Sequence, residues 1–402
     1  MTPSHRAQIQ ALEAHPAGLR VMVFLHSFEP GGVERVALRL AGAWAQAGAQ
    51  VRILMGRRGG ALEVEQPDGV AVDYAPPSRI AARCESLWLV PHLVAAVRRH
   101  RPDVLFCAGN TYAVVAVLAR LLLGRDCPPI VAKVSNSLDR RDFGPLMRRL
   151  YALWLQIQAR FIDRFVGMAE AMRPEMAAAL GIDPEGLAII DDPALSLADV
   201  RAFARRPLRS GSADRRLFVG VGRLVRQKDF ALAVRAFARI VRPGDRLVLL
   251  GDGPERGALQ RLAAELDVAD QVELPGHLDA VGPWLAQADA FVLSSVYEGV
   301  PAAVIEALAA GAPIVATDCS VSMGEILGHG ALGRLIAHGD VDALAEAMET
   351  VADEGPRDPA AMRAMAERFT IERSGAAYLA VLHAAAAVSG TAPADLVLAA
   401  AE

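Results

Sequence analysis

Two acids eight residues apart, Glu298 and Glu306, stand in the stretch SSVYEGVPAAVIEALAAG from Ser294 to Gly311. Gly299, Val300 and Pro301 follow the first acid. The strand pattern Ala290 to Leu293 precedes it, and the helix pattern Ala302 to Ala310 closes at Gly311. Pro301 suits a first helical turn, where a missing N–H has no partner to lose. Glu298 is therefore expected on the loop leaving a strand and Glu306 one to two turns into the helix. The N–H groups of Val300, Ala302 and Ala303 should open into the same crevice. Carboxylates accept hydroxyl hydrogen bonds and helix N-termini favour anions, so the loop suits a polyhydroxylated ligand such as a sugar or ribose. The competing reading makes Glu298 a capping-box acid and Glu306 a solvated helix residue. Against it, Glu306 lies between Ile305 and Ala307 in an otherwise wholly apolar helix.

Other groups answer those acids. Gly222-Arg223-Leu224-Val225-Arg226-Gln227-Lys228 follows the strand pattern Leu217 to Val221. In doubly wound sheets ligands bind at the carboxyl ends of strands, so Arg223 and Lys228 are expected in the crevice. Arg forks two phosphate oxygens and Lys adds a point charge, a pair suited to a leaving diphosphate. Gly31-Gly32 also sits between a strand and a helix, where bare backbone can approach a phosphate. No third glycine follows it, so it is not the dinucleotide fingerprint GxGxxG, which argues against an NAD dehydrogenase. Gly251-Asp252-Gly253-Pro254 and Leu274-Pro275-Gly276-His277 are further strand-end turns whose backbone could line a nucleotide base; His277 reads as a turn residue. Asp340-Val341-Asp342 has the form of a DxD metal motif, but it opens a helix after Gly339. Asp340 is read as an N-cap and no metal is assigned.

The elements needed to hold these groups are legible as alternation. Strand patterns at Arg20 to His26, Val51 to Leu54, Val104 to Cys107, Ile130 to Val134 and Phe165 to Met168 alternate with helix patterns at 33–46, 87–99, 112–123 and 144–162. A second series follows, with strands at 217–221, 247–250, 271–274, 290–293 and 314–316. Its helices fall at 230–240, 254–266, 281–286, 302–310 and 341–351, and a last apolar helix spans about 371–387. Such alternation implies α/β architecture with parallel sheets covered on both faces. Residues 1–17 read as a loose leader, Asp191 to Asp214 as a linker with Asp191-Asp192 as turn chemistry, and Ser389 to Glu402 as a tail without a readable role. The division is a domain at 18–195, a second at 213–368, and a crossover helix at 369–388.

Composition sets the outer limits. At 402 residues, 53% hydrophobic and 22% charged, the chain is long enough for two globular domains. A net charge of −4 argues against a nucleic-acid partner. Cys84, Cys107, Cys127 and Cys319 show no CxxC spacing and are expected as buried free thiols in a reducing cytoplasm. No signal-peptide pattern and no uncharged run of roughly 18 residues is present.

In order, GGVE, GRLVRQKDF, GDGP, LPGH and E-x7-E followed by GAPIVATD resemble the retaining family 4 glycosyltransferases of the GT-B fold, most strongly from Val219 to Leu335. The resemblance implies two Rossmann-like doubly wound domains facing across a cleft, and a C-terminal helix crossing back to the first. It implies metal-independent transfer with retention and no cofactor, the donor being a nucleoside-diphosphate sugar. Carried over, Arg223 and Lys228 bind the donor diphosphate, Glu298 touches the transferred sugar, and Glu306 holds the ribose hydroxyls. Gly222, Gly253, Gly276, His277, Gly299, Val300 and Pro301 complete the donor side, with Gly31 and Gly32 approaching from the other domain.

Two departures stand out. The family's His at the end of a first-domain strand is missing after Pro102 to Cys107, leaving His26, Asn110, Ser135, Asn136 and Asp139 as acceptor-side polar groups, of which His26, Asn110 and Asn136 are taken as candidates. Ser320 to Glu325 replaces a Gly-rich stretch, so Glu325 receives no role. Arg140, Arg141, Arg148 and Arg149 flank or enter the aromatic helix 144–162. Two readings of that helix stay open: a monotopic membrane face for a lipid-linked saccharide acceptor at the inner face of the cell membrane, or a core helix with a solvated Arg face. The expected activity is hexosyl transfer to a saccharide acceptor in surface polysaccharide assembly. A sugar-nucleotide epimerase, a soluble disaccharide synthase and a sugar-binding scaffold remain alternatives.

Overall fold

The computed structural model describes residues 18–29, 31–77, 84–140, 143–204, 215–278, 280–355 and 357–389. The expected leader, Pro30 of the glycine turn, Arg141, residues 205–214 of the expected linker and residues 390–402 of the tail lie outside them. The chain divides into two compact units, Met1–Pro193 with Ile371–Glu402, and Ala194–Thr370.

The first unit runs β1 (Arg20–Leu25), α1 (Gly32–Gln46), β2 (Gln50–Met55), β3 (Ala71–Tyr74), α2 (Glu85–His100), β4 (Val104–Cys107), α3 (Ala113–Leu123), β5 (Ile130–Lys133), α4 (Pro145–Phe161), β6 (Arg164–Gly167), α5 (Arg173–Leu180) and β7 (Ala188–Ile189). Its strands are all parallel in the order β3-β2-β1-β4-β5-β6-β7. Helices cover both faces, so the central strands read as unbroken apolar runs such as Val21 to Leu25, all buried. The last helix of the chain, Ile371–Ser389, belongs to this unit and packs on α1, β4 and β5. Fully buried Tyr378 meets Phe106 edge to face at 5.8 Å, and Trp44 Nε1 donates to Gly375 O at 3.1 Å. The expected return of the C-terminal helix to the first domain is observed.

The second unit runs α6 (Leu197–Ala204), β8 (Leu217–Val221), α7 (Phe230–Ile240), β9 (Arg246–Leu250), α8 (Arg256–Glu265), β10 (Val272–Gly276), α9 (Gly282–Gln287), β11 (Ala290–Leu293), α10 (Ala302–Ala310), β12 (Ile314–Thr317), α11 (Met323–Ile326), β13 (Arg334–Ile336), α12 (Val341–Glu354) and α13 (Pro359–Arg368); the returning helix is α14. Its sheet, also all parallel, is ordered β10-β9-β8-β11-β12-β13. Phe218, Phe230, Phe237 and Leu249 anchor a core between that sheet and α7, α8 and α12.

Two expectations need correction. The stretch expected as linker contains α6, which packs on α10 and α13 within the second unit. Ser196 and Asp199 close it as a capping box: Asp199 N–H donates to Ser196 Oγ at 3.0 Å, and Ser196 N–H donates to Asp199 Oδ2 at 2.8 Å. The prolines on either side of that box hid a helix whose start is written in the sequence. Asp191-Asp192 is more than turn chemistry. Asp192 is buried and paired with buried Lys133 at the end of β5, while Asp191 O accepts from Ser374 Oγ of α14 at 2.6 Å.

In each sheet the winding reverses direction once, between β1 and β4 and between β8 and β11. Crevices at these reversals, beyond the carboxyl ends of the strands, are where doubly wound sheets bind ligands. His26 and Asn110 follow the strands of the first reversal, while Gly222, Arg223 and Glu298 follow those of the second.

Candidate functional site

In the second unit β8 and β11 are paired neighbours, with Phe291 beside Val219, so the loops leaving them converge. Lys228 and Glu298 meet there: Lys228 Nζ donates to Glu298 Oε1 at 2.6 Å, with side chains 17% and 11% exposed. Ser295 Oγ donates to the same oxygen at 2.9 Å. The lysine stem runs over Gly222, where a Cβ would lie 3.0 Å from Lys228 Cε. Arg223, beside Gly222, is exposed and forms no ion pair or side-chain hydrogen bond among the described residues. These two loops therefore offer one open cation and one already held by an acid.

The loop carrying Glu298 is pinned from several sides. Val296 N–H donates to Gln227 O at 2.8 Å, Gln227 Nε2 to Tyr297 O at 2.9 Å, and Ser294 Oγ to Lys228 O at 2.9 Å. Thr317 Oγ1 donates to Ser295 O at 2.7 Å. The hydroxyls of Ser320 and Ser322 both donate to Gly299 O, at 2.6 and 2.7 Å. The segment that departs from a Gly-rich pattern is thus a pair of buried serines holding the Glu298 loop. Glu325, left without a role, pairs with Arg368 at 2.6 Å.

Pro301 is the N-cap of α10, and its carbonyl accepts from Val304 and Ile305 at 2.9 and 3.4 Å. The N–H groups of Val300, Ala302 and Ala303 have no acceptor among the described residues, as the spacing predicts. Glu306 is half-buried on α10. Gly251 and Gly253 answer a packing demand. Cβ atoms there would lie 1.9 Å from Gly222 O and 2.4 Å from Leu224 O, so the turn after β9 nests against the turn after β8 backbone to backbone. Gly276 O accepts from Gly251 N–H at 2.9 Å, joining the turn after β10 to the same group, and His277 next to it is exposed.

Asp340 caps α12 by accepting from Ala343 N–H at 2.9 Å, and Asp342 pairs with Arg239, so the DxD sequence is structural here. Among the described residues no group of three His, Cys, Asp or Glu side chains is placed to hold a metal ion. Cys319, whose carbonyl accepts from Glu298 N–H at 2.9 Å, has its thiol pushed up to about 12 by burial and then by the Glu298 charge. It stays protonated and unreactive. Cys107 and Cys127 are buried too, whereas Cys84, expected buried, is exposed just before α2.

The first unit places its acceptor-side candidates differently. His26 lies against the Tyr112 ring with centroids 4.5 Å apart, and its Nε2 is 3.1 Å from Ser86 Oγ. Burial lowers its pKa, so the ring is neutral near pH 7. Asn110 is committed to the fold: its Oδ1 accepts from Ser135 N–H at 2.9 Å, and its own N–H donates to Ser135 Oγ at 3.3 Å. Asn136 is half-buried nearby in sequence. Gly31 does not present bare backbone, because the Glu34 carboxylate covers it; Gly32 faces open space. Tyr112, Ser86 and Lys133 escaped the sequence reading because each reaches its partner from a distant element.

On the first half of α4 the core-helix reading does not hold. Leu146, Met147, Leu150 and Leu153 are 72%, 52%, 53% and 55% exposed, on one helical face beside exposed Arg148 and Arg149. Arg140 stacks on Phe143 at 4.2 Å, and its carbonyl accepts from Arg148 Nε at 3.1 Å. The apolar face of this half of α4 is not core.

Comparison with known proteins fits this geometry. Residues 30–192 match the family model described as Glycosyltransferase Family 4, and residues 215–354 match Glycosyl transferases group 1. The lipopolysaccharide core biosynthesis glycosyltransferase LpsE of Rhizobium meliloti is 36% identical over 174 residues, 42% of this chain and 50% of that protein. A glycogen synthase of Mycobacterium tuberculosis is 31% identical over 282 residues, 68% of this chain and 66% of that protein. The chain thus spans half the length of the first relative and about two thirds of the second. A crystal structure of Anabaena HepE in complex with UDP and glucose superimposes with a TM-score of 0.72 at 19% identity, covering 90% of this chain and 99% of that one. At that identity the likeness shows the fold, two parallel-sheet α/β units of the GT-B class. With both domain models matched in order over most of its length, the chain belongs to the family 4, group 1 type of glycosyltransferases.

Proposed function

We propose that this protein transfers a hexose from a nucleoside-diphosphate sugar to a saccharide acceptor, with retention at the anomeric carbon and without a metal. The observation that carries the reading is the convergence of Lys228, Glu298 and the open N–H groups of Val300, Ala302 and Ala303 where the second sheet reverses its winding, with Arg223 on the adjoining loop. Glycosyl transfer builds negative charge on the departing phosphate oxygen and positive charge on an oxocarbenium-like sugar. Arg223 and Lys228 answer the first charge, and the α10 N-terminus adds oriented dipoles. Glu298 meets the sugar, and releasing Lys228 to the phosphate leaves its carboxylate to the sugar hydroxyls. Glu306 takes the ribose hydroxyls. Retention follows from displacement on the same face, with the leaving diphosphate assisting the incoming hydroxyl. The DxD acids are occupied as a cap and an ion pair, which supports cationic side chains in place of a metal.

The acceptor we assign is a lipid-linked saccharide of surface polysaccharide assembly, reached at the inner face of the cell membrane. The exposed apolar row on α4, beside Arg148 and Arg149, supports peripheral binding to an anionic bilayer. No helix among the described residues is long and apolar enough to cross a membrane.

The test is donor turnover. Hydrolysis or transfer from UDP-, GDP- or ADP-hexoses should persist in EDTA, give a product of unchanged anomeric configuration by NMR, and collapse in Lys228→Ala. A C2-epimerised sugar nucleotide in place of transfer would favour the epimerase reading. Donor binding without any turnover would favour a scaffold.

A further inference from the structure

The first unit holds a polar cluster at the carboxyl end of β1 that the donor chemistry leaves unused. Fully buried Tyr112 donates its hydroxyl to Glu34 Oε1 at 2.7 Å and accepts from the His26 N–H at 3.3 Å. Burial first, then the Glu34 charge, raises the Tyr112 hydroxyl well above its ordinary value, so the phenol keeps its proton at any working pH. Glu34 Oε1 is therefore permanently occupied. Its other oxygen lies on the opposite side, over Gly31, where a Cβ would come within 2.0 Å of it. Among the described residues Oε2 has no hydrogen-bond partner, although the residue is half-buried. His26 packs against the Tyr112 ring and is itself held by Ser86. A buried phenol, a stacked imidazole and a glycine chosen for clearance thus converge on fixing one carboxylate oxygen.

We propose that Glu34 accepts a hydroxyl hydrogen bond from the saccharide acceptor, with Tyr112 as its positioning residue; this rests on the transferase reading above. A carboxylate in the first turn of α1 complements the helix dipole there and repels a second anion. It favours instead a neutral ligand that donates hydroxyls, and a charge-assisted O–H to carboxylate bond is the strong form of that contact. The first unit then selects a hydroxyl-rich sugar, and phosphate recognition falls to the second unit.

The experiment measures two ligands separately on the full chain. Methyl glycosides of glucose, galactose and mannose are followed by saturation-transfer NMR, and UDP, GDP and ADP by calorimetry. Glu34→Gln keeps an oxygen for Tyr112 but turns an amide N–H₂ toward Gly31, replacing an acceptor with a donor. Glycoside affinity should fall about tenfold, the effect of one charge-assisted hydrogen bond, with nucleotide affinity unchanged within about twofold. Tyr112→Phe should weaken glycoside binding less and also leave the nucleotide alone. Should Glu34→Gln not fold, Glu34→Asp, whose shorter arm withdraws the carboxylate from Tyr112, is expected to show the same selective loss. Unaltered glycoside binding in these variants, no glycoside binding by the wild type, or a nucleotide Kd shifted more than about fivefold overturns the proposal. If the wild type binds none of the nucleotides while the Glu34-dependent glycoside signal persists, the donor reading fails and this one stands.

Discussion

Lys228 and Glu298 hold each other at 2.6 Å, so each residue's substitution acts on its partner as well as on ligand. Lys228→Ala leaves the Glu298 carboxylate, 11% exposed, with only the Ser295 hydroxyl. Breaking such a pair on one side costs about 3 kcal/mol, which urea unfolding should register. Calorimetry should show nucleoside-diphosphate affinity falling at least about tenfold. Glu298→Gln separates binding from chemistry. The amide keeps an oxygen for Ser295 yet releases Lys228 from its counter-charge, so diphosphate affinity should rise about threefold. Turnover should fall by about a hundredfold, because the carboxylate facing the sugar is gone. An affinity that drops in Glu298→Gln would show that the lysine is not a phosphate ligand.

At the level of elements, the site depends on short pieces that place one loop. Buried Ser320 and Ser322, just before α11, both donate to Gly299 O. Each hydroxyl is worth about 1 kcal/mol. Ser320→Ala with Ser322→Ala should cost about twice that in stability and lower kcat/KM through misplacement of Glu298, while Glu306-dependent nucleoside binding survives. The entry to the second sheet is pinned by Arg216 and Asp245, whose guanidinium and carboxylate meet at 2.6 Å, both almost fully buried. Burial alone raises the Asp245 carboxyl. Hydrogen bonds from the Arg216 side chain and N–H, and from Arg242 N–H, outweigh it and hold the pKa below the ordinary carboxylate value. A depressed folded pKa means stability that is fully present above the ordinary value near 4 and disappears as pH falls through the lower, folded one. Asp245→Asn should therefore unfold more easily at about pH 7, and its deficit relative to wild type should shrink at about pH 3.

For the whole molecule, the two units are stabilised by separate cores, yet the first depends on the chain's last helix. Tyr378 of α14 is fully buried against Trp44 and Phe106. A chain ending at Thr370 should lose the melting transition of the first unit and keep that of the second, as read by calorimetry. The exposed row on α4 makes a different demand on the assembled protein. Cosedimentation with vesicles containing anionic lipid should be lost on Arg148→Glu with Arg149→Glu and weakened by Leu150→Ser with Leu153→Ser, and it should decline with added salt. Vesicle binding equal in wild type and variants would remove the membrane from the proposal.

The sequence by itself determined the local parts: the central strands of both sheets, the helix Ala302–Ala310 with its Gly311 stop, the Asp340 cap and the open N–H groups behind Pro301. These depend on burial period, capping and proline geometry, which act over a few residues. It missed β3, β7, β13 and α11, which are too short to show a period, and it passed over α5, α6 and α13, whose starts lie at or close after prolines that read as breaks. Only the tertiary structure decided which charges meet. Lys228 with Glu298 and Tyr112 with Glu34 are 70 and 78 residues apart. Such pairs are set by the order of parallel strands, and that order comes from crossovers and two-sided burial that no local pattern encodes.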